Sequence, residues 1–389
     1  MNGNKLYWAY PVTRKEESYF VLSDKMAWAL RRRGFTVTPL SAAYFDTTPT
    51  THVALAHPDI GAIPTVAAGT PGFMTLKLGR VWGLTMYEST RLPTRWAPTL
   101  LRHCERILVP SPWCAVIFRD NLTDYMESHT DQFKVPILPP IHVVPLGIDA
   151  AQFRYTQRPN RDTFTFLCIA DRGNRKGFDL VLQAFYKVFG GPDQTPDVRL
   201  IFKMIETPQS ILHFVTHFPD RRVRTWRENL DDIAELLYIA DCFLFPSRGE
   251  GYGLWPRQAA ATGLPVICSD CTGMADEAKN WALTLNGTWV AASTEGYDGK
   301  QFQPNLDELC THMRWVYDQR AHAREFGYRA SSWVHEHVTW DHAADAFIQL
   351  FNQVAEDTRR SFSFPVASAS TTTEPPKPKP KRSRRYAAK

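Results

Sequence analysis

The chain has 389 residues, 44% of them hydrophobic and 13% aromatic. That is enough apolar surface for two folded cores and too much for a disordered polymer. No apolar run approaches the roughly 20 residues that cross a bilayer, and the start MNGNKLYWAYPVTRKEE lacks a signal-peptide layout, so a cytoplasmic protein without a membrane span is expected. The formal net charge of +5 resides in the tail: residues 361–389 carry +6, leaving the remainder at −1. Seven cysteines, scattered and odd in number, argue against a disulfide framework. Cys268 and Cys271 form a lone CxxC with no second pair to complete a zinc site, so no metal site is expected.

Short apolar strands alternate with amphipathic helices, the pattern of parallel α/β sheets. KLYWAYP reads as a strand, EESYFVLSDKMAWALRRRG as a helix ending in glycine, and FTVTPL as the next strand. VWGLTM (strand), WAPTLLRHCE (helix) and RILVPS (strand) follow, and HVVPLGID closes the first half. Around residues 154–162 the chain turns polar, as a linker does. A second series then runs FTFLCIA, GFDLVLQAFYKVF, VRLIFKM, LDDIAELLYIA, DCFLFPS and PVICS. One long helical stretch covers 308–337 and another 340–357, and the Ser/Thr/Pro/Lys-rich remainder has too little apolar surface to fold alone. The expected domains are therefore 1–152, 153–338, a C-terminal helix at 339–357 returning to the first domain, and a disordered basic tail at 358–389.

Two α/β halves imply a cleft between them, with ligands at the carboxyl ends of the strands. The stretch PSRGEGYGLWPRQAAATGLPVI, residues 246–267, lies at such an end. Gly249, Gly251 and Gly253 let backbone approach a ligand closely, and the helix that follows offers free N–H groups suited to a phosphate. Glu250 would repel a phosphate placed on it and suits a neutral hydroxyl-bearing group such as a sugar. The G-x-G-x-G spacing lacks the sixth-position glycine of a dinucleotide fingerprint, and no GxxxxGK[ST] occurs.

This stretch resembles the signature of retaining GT-B glycosyltransferases of family 4, P-S-x-x-E-G-F/Y-G-L-P-x-x-E-A-x-A-x-G-x-P-V-I. Pro246, Ser247, Glu250, Gly251, Tyr252, Gly253, Leu254, Ala259, Ala261, Gly263, Pro265, Val266 and Ile267 match. One departure is chemical: the family's second glutamate is Gln258 here. IADRGNRKGFDLVLQAF resembles the family's donor-phosphate loop, HVVPLGID its interdomain turn and MYESTRLPTRW part of its first domain. The Gly-Gly loop expected after the first strand is replaced by AYPVTRKEE.

The resemblance implies two Rossmann-like domains facing across a cleft and a nucleotide-diphosphate sugar as co-substrate, UDP-linked rather than GDP-linked, with no cofactor. No Asp-x-Asp is present to hold a metal, so cations and a helix terminus are expected to stabilise the leaving diphosphate. Lys176 matches the family lysine; Arg172 is the first choice for its arginine and Arg175 the second. Glu250 binds hydroxyls of the transferred sugar. The loop of Gly249, Gly251, Tyr252, Gly253 and Leu254 faces sugar and diphosphate, and Gln258 takes the ribose position without a charge. Glu88, at a first-domain strand end, is the candidate for orienting an acceptor or sugar hydroxyl, with His52 and His57 as alternatives. Lys203 is a further candidate donor contact. The acceptor is open among polysaccharide, protein and modified nucleic acid, and the basic tail could contact an anionic partner. Two rival readings remain: an epimerase or phosphorylase on the same fold, and a non-catalytic sugar-nucleotide or nucleic-acid binding protein.

Overall fold

The computed structural model describes residues 5–9, 18–40, 53–56, 80–130, 137–170, 174–204, 220–226, 232–275, 277–294 and 296–362. The first half is built on β1 (Lys5–Ala9), β2 (Thr36–Leu40), β3 (Val53–Ala56), β4 (Arg80–Leu84), β5 (Arg106–Val109) and β6 (Ile141–Val143). The second is built on β7 (Phe164–Ala170), β8 (Val198–Met204), β9 (Val223–Trp226), β10 (Cys242–Phe245), β11 (Val266–Ser269) and β12 (Leu283–Leu285). Each set forms one sheet, in the orders β2-β1-β3-β4-β5-β6 and β12-β11-β10-β7-β8-β9. Every pairing within them is parallel.

The strands of the second sheet explain themselves. CFLF and VICS are buried at every position, as expected where helices cover both faces of a parallel sheet. Phe164, Phe166, Phe185, Phe189, Phe202 and Leu244 form its core. In the first half Trp96, Leu100, Ile107 and Phe118 play that part. Helix starts carry their own signals. The Ser111 side chain accepts from the Cys114 N–H at 3.2 Å, ahead of a proline that opens the helix Pro112–Ser128. Asn305 accepts from the N–H groups of Asp307 and Glu308 and so starts Leu306–Asp318.

Two stretches differ from the sequence pattern. The run 308–337 is two helices, Leu306–Asp318 and Arg320–His337, because Gln319 leaves the helical region with φ −106° and ψ 45°. The helix read at 230–240 is described from residue 232 on, where Ala234–Ile239 is helical. The polar stretch at 287–304 forms an antiparallel hairpin, β13 (Gly287–Ala291) and β14 (Lys300–Pro304). Past the second half the chain returns to the first: Ile148 donates to Val338 O at 2.8 Å, and Phe347 meets the rings of Trp82 and Phe35 at 5.9 and 6.5 Å. The helix Trp340–Phe362 begins there. The basic stretch from Lys377 on lies outside the described residues, as do Arg172, His52 and His57. Among the described residues no helix is long and apolar enough to cross a membrane.

Candidate active site

The order of the second sheet fixes where the site falls. β8 and β9 lie to one side of β7, β10 to β12 to the other, so strand order reverses between β7 and β10. Loops leaving the carboxyl ends of two such strands diverge and open a crevice. The loop after β7 brings Arg175 and Lys176; the loop after β10 brings Ser247 to Gly253. The two loops bind each other: Arg248 N–H donates to Arg175 O at 2.7 Å, and the Arg248 guanidinium grips Asp179 through two bonds of 2.8 and 2.7 Å.

Glu250 is the centre of the cluster. Its Oε1 accepts from Lys176 Nζ at 2.7 Å, Arg175 Nη1 at 2.9 Å and Ser247 Oγ at 2.7 Å. Burial alone would raise its pKa, but Lys176 and then Arg175 hold it below the usual carboxylate range. Lys176 is itself drawn down from the usual lysine value, first by burial and then by Arg175, with Glu250 opposing. The backbone N–H of Glu250 donates to Thr272 Oγ1 at 3.0 Å. Thr272 sits at φ 53°, a left-handed conformation that a β-branched residue adopts only when its surroundings impose it.

The glycines around Glu250 permit contact with the first half. A Cβ on Gly249 would overlap the Glu88 carbonyl, and one on Gly251 would lie 2.7 Å from Met86 Cβ. Ser111 Oγ donates to Gly251 O at 2.8 Å, and Tyr252 OH to Leu146 O at 2.8 Å. Tyr252 therefore serves the seam between the halves. Gly253 adopts φ 81° and caps the helix Leu254–Ala261.

Glu88 stands on the opposite wall. Its Oε1 is 4.0 Å from Arg175 Nη2, and its Oε2 accepts from Tyr297 OH at 3.4 Å. Burial raises its pKa above the usual carboxylate value; Arg175 opposes this without overcoming it. Tyr297 comes from the turn between β13 and β14. Arg175 lies over its ring at 5.5 Å, and Tyr87 packs on it at 5.5 Å. Ser89 and Thr90 of the first half hydrogen-bond to this hairpin at Asp298 and Lys300.

Glu250, Lys176, Arg175, Gly249 and Glu88 are thus brought together. Lys203 is buried near the end of β8, opposite Ile169 of β7 in register. Gln258 is buried on the helix Leu254–Ala261, and its side chain makes no hydrogen bond to a described residue. Cys268 and Cys271 are buried and outside any disulfide, and burial pushes the Cys268 thiol up to about 12. Among the described residues no group of three His, Cys, Asp or Glu is placed to hold a metal ion.

Three contributors carry no local sequence signal: Thr272, Tyr297 and Arg257. Arg257 is 1% exposed and donates to the carbonyls of Tyr252, Gly253 and Gly273 and to Glu277 Oε1, the last at 2.6 Å. Its guanidinium lies 3.8 Å from the Tyr252 ring centroid. A charged fork on three carbonyls fixes the backbone of the signature loop.

Two parallel sheets meeting at such a crevice are the GT-B architecture of nucleotide-sugar glycosyltransferases. A family model described as family 4 glycosyltransferase in conflict systems matches residues 118–347, more than half of the chain. The chain belongs to that family, which bears out the resemblance read in the signature. It is 24% identical over 167 residues to a protein of Sulfolobus islandicus filamentous virus (isolate Iceland/Hveragerdi) named "Putative glycosyltransferase 45". That match covers 43% of this chain and 41% of the relative, so the chain spans about two fifths of the length of the curated relative it matches. Sucrose-phosphate synthase from Thermosynechococcus elongatus shares the fold with a TM-score of 0.66 at 13% identity, over 91% of this chain and 100% of that one. Anabaena HepE, solved with UDP and glucose, gives 0.61 at 12% identity, over 92% and 99%.

Proposed function

We propose that the protein transfers a sugar from a UDP-linked donor to an acceptor hydroxyl, with retention of anomeric configuration and without a metal ion or cofactor. The observation that carries this reading is the Lys176–Arg175–Ser247 cluster on Glu250 at the strand-order reversal. A departing nucleoside diphosphate gains negative charge as the C1–O bond breaks. Two cationic side chains already fixed at that point stabilise the charge without reorganising. Glu250, kept ionised, accepts hydrogen bonds from sugar hydroxyls. The acceptor oxygen forms its new bond to C1 on the face the diphosphate leaves, and its proton passes to a phosphate oxygen of the leaving group.

Support for a uridine donor comes from Anabaena HepE, which shares the fold and was solved with UDP and glucose. Gln258 offers the ribose hydroxyls a neutral amide in place of a carboxylate, so the nucleotide is held more weakly than a charged acceptor would hold it. Glu88 and Tyr297 form the opposite wall and orient the incoming hydroxyl.

The test is turnover of UDP-glucose and other UDP- and GDP-sugars by the full chain, with and without EDTA, following free UDP and the anomeric proton of the product. Release of UDP that persists in EDTA, is lost in Lys176→Ala and yields an α-linked product from an α-linked donor supports the reading. Interconversion of donors without UDP release, or phosphate-dependent release of a sugar phosphate, would replace it with the epimerase or phosphorylase reading.

A further inference from the structure

The hairpin β13–β14 stands outside both parallel sheets, and β13 is exposed at every residue. A two-stranded ribbon is marginally stable in water unless other parts of the chain hold it. Two sets of bonds do so here. The root is fixed to the second half: the Phe302 N–H donates to Arg248 O at 2.9 Å, and Arg248 Nε donates to Gln303 Oε1 at 3.1 Å.

The tip is fixed to the first half. Ser89 is fully buried, and its Oγ shares a proton between Asp298 O and Lys300 O, the latter at 3.1 Å. Thr90 holds Lys300 from both sides: its N–H donates to Lys300 O at 3.3 Å, and its Oγ1 accepts from the Lys300 N–H at 2.8 Å. Tyr87 OH donates to Gly296 O at 3.4 Å. Gly299 adopts φ 83°, and a Cβ there would lie 2.6 Å from Thr90 Oγ1, so this close approach requires glycine. Between these anchors the hairpin carries Tyr297, which lies against Glu88 and beneath Arg175.

We infer that Ser89 and Thr90 are positioning residues: they latch the hairpin onto the first half as a lid that keeps water from the acceptor side of the candidate site. This role rests on the glycosyl transfer proposed above, whereas the latch rests on geometry alone. The latch bonds cross the seam between the halves and break if the tip lifts, while the root bonds stay within the second half. A sugar C1 beside a departing diphosphate is open to any hydroxyl, water included, and lids protect such centres. With the latch cut, a water oxygen bonds to C1, the C1–O bond to the diphosphate breaks, and a water proton passes to the leaving phosphate. The products are free sugar and UDP.

Two variants of the full chain test it. Thr90→Val keeps the side-chain shape and removes the oxygen that accepts from Lys300; Gly299→Ala puts a Cβ where Thr90 stands. Amide hydrogen exchange is followed over residues 297–303, with β7 and β8 as the internal reference, alongside UDP release from UDP-glucose with no acceptor added. Both variants should exchange about tenfold faster over 297–303, the loss of one hydrogen bond, with β7 and β8 and the calorimetric UDP affinity unchanged. Acceptor-free UDP release should rise by a similar factor. Hairpin exchange at the wild-type rate in both variants overturns the latch. Faster exchange without a rise in acceptor-free release overturns the lid. A wild-type chain that does not bind UDP would instead contradict the donor reading, and the exchange rates would still decide the latch.

Discussion

Glu250 and Glu88 face each other from the two halves of the molecule and differ in almost every respect but residue type. Their side chains are 9% and 22% exposed, so both are largely withdrawn from water. Burial pushes each toward its neutral form. Glu250 answers with three donors within 2.9 Å and stays ionised. Among the described residues Glu88 has one bond, of 3.4 Å from a phenol, and a cation 4.0 Å away, and burial raises its pKa. Environment alone moves the two carboxyl pKa values in opposite directions, the arrangement that separates acid–base roles in active sites. In the proposed reaction Glu250 serves the sugar and the charge balance of the donor, and Glu88 the acceptor.

Removing the charges separately breaks the comparison most sharply. Glu250→Gln strands Lys176 and Arg175 beside a neutral group, so urea denaturation should show a loss of about 3–5 kcal/mol, the range for breaking a buried pair by removing one partner. Glu88→Gln should cost less than about 0.5 kcal/mol, because it removes a carboxyl held, among the described residues, by one long hydrogen bond and no close ion pair. Equal losses in both would erase the distinction. Lys176→Ala should lower kcat/KM by roughly 3–4 kcal/mol, or about a hundred- to a thousandfold, in a UDP-release assay.

The pH dependence of stability carries the same contrast with opposite signs. Glu250, its folded pKa below 4.5, contributes stability that is present above pH 4.5 and lost as pH falls through the depressed value. Glu88, its folded pKa above 4.5, contributes stability that is present below pH 4.5 and lost as pH rises through the raised value. Unfolding free energies measured from pH 3 to 8 should therefore lose their decline above pH 4.5 in E88Q and keep it in E250Q. Tyr297→Phe is the smallest change. It removes a long hydrogen bond while keeping the ring, and should alter KM for acceptor by less than about fivefold, roughly 1 kcal/mol, with KM for donor unchanged. An equal rise in both KM values would place Tyr297 outside the acceptor wall.

Much of the Glu250 wall was legible because its parts lie close in sequence. A strand, a glycine-rich turn and a helix occupy one run, 242–261, and Lys176 follows another strand by six residues. The arginine was harder to place: the family's spacing made Arg172 the first choice and Arg175 the second, and among the described residues the arginine on Glu250 is Arg175. The Glu88 wall depends on Tyr297, 209 residues away. It arrives on a hairpin whose first strand is exposed along its length and so shows no buried-exposed alternation. Thr272 and Arg257 escaped for a related reason, since a hydroxyl holding one backbone N–H and a guanidinium binding three carbonyls leave no periodic trace. The parallel sheets were the easiest part to read, because strands buried on both faces appear as unbroken apolar runs.

The central claim, that the charges around Glu250 are arranged for a nucleoside diphosphate, is tested most directly by titrating UDP into the wild-type chain and into Lys176→Ala. The account predicts saturable binding to the wild type and a loss of at least about tenfold in the variant, the removal of one charge-assisted contact to phosphate. UDP affinity that is identical in the two proteins, or no UDP binding to a folded wild type at millimolar concentration, would contradict it.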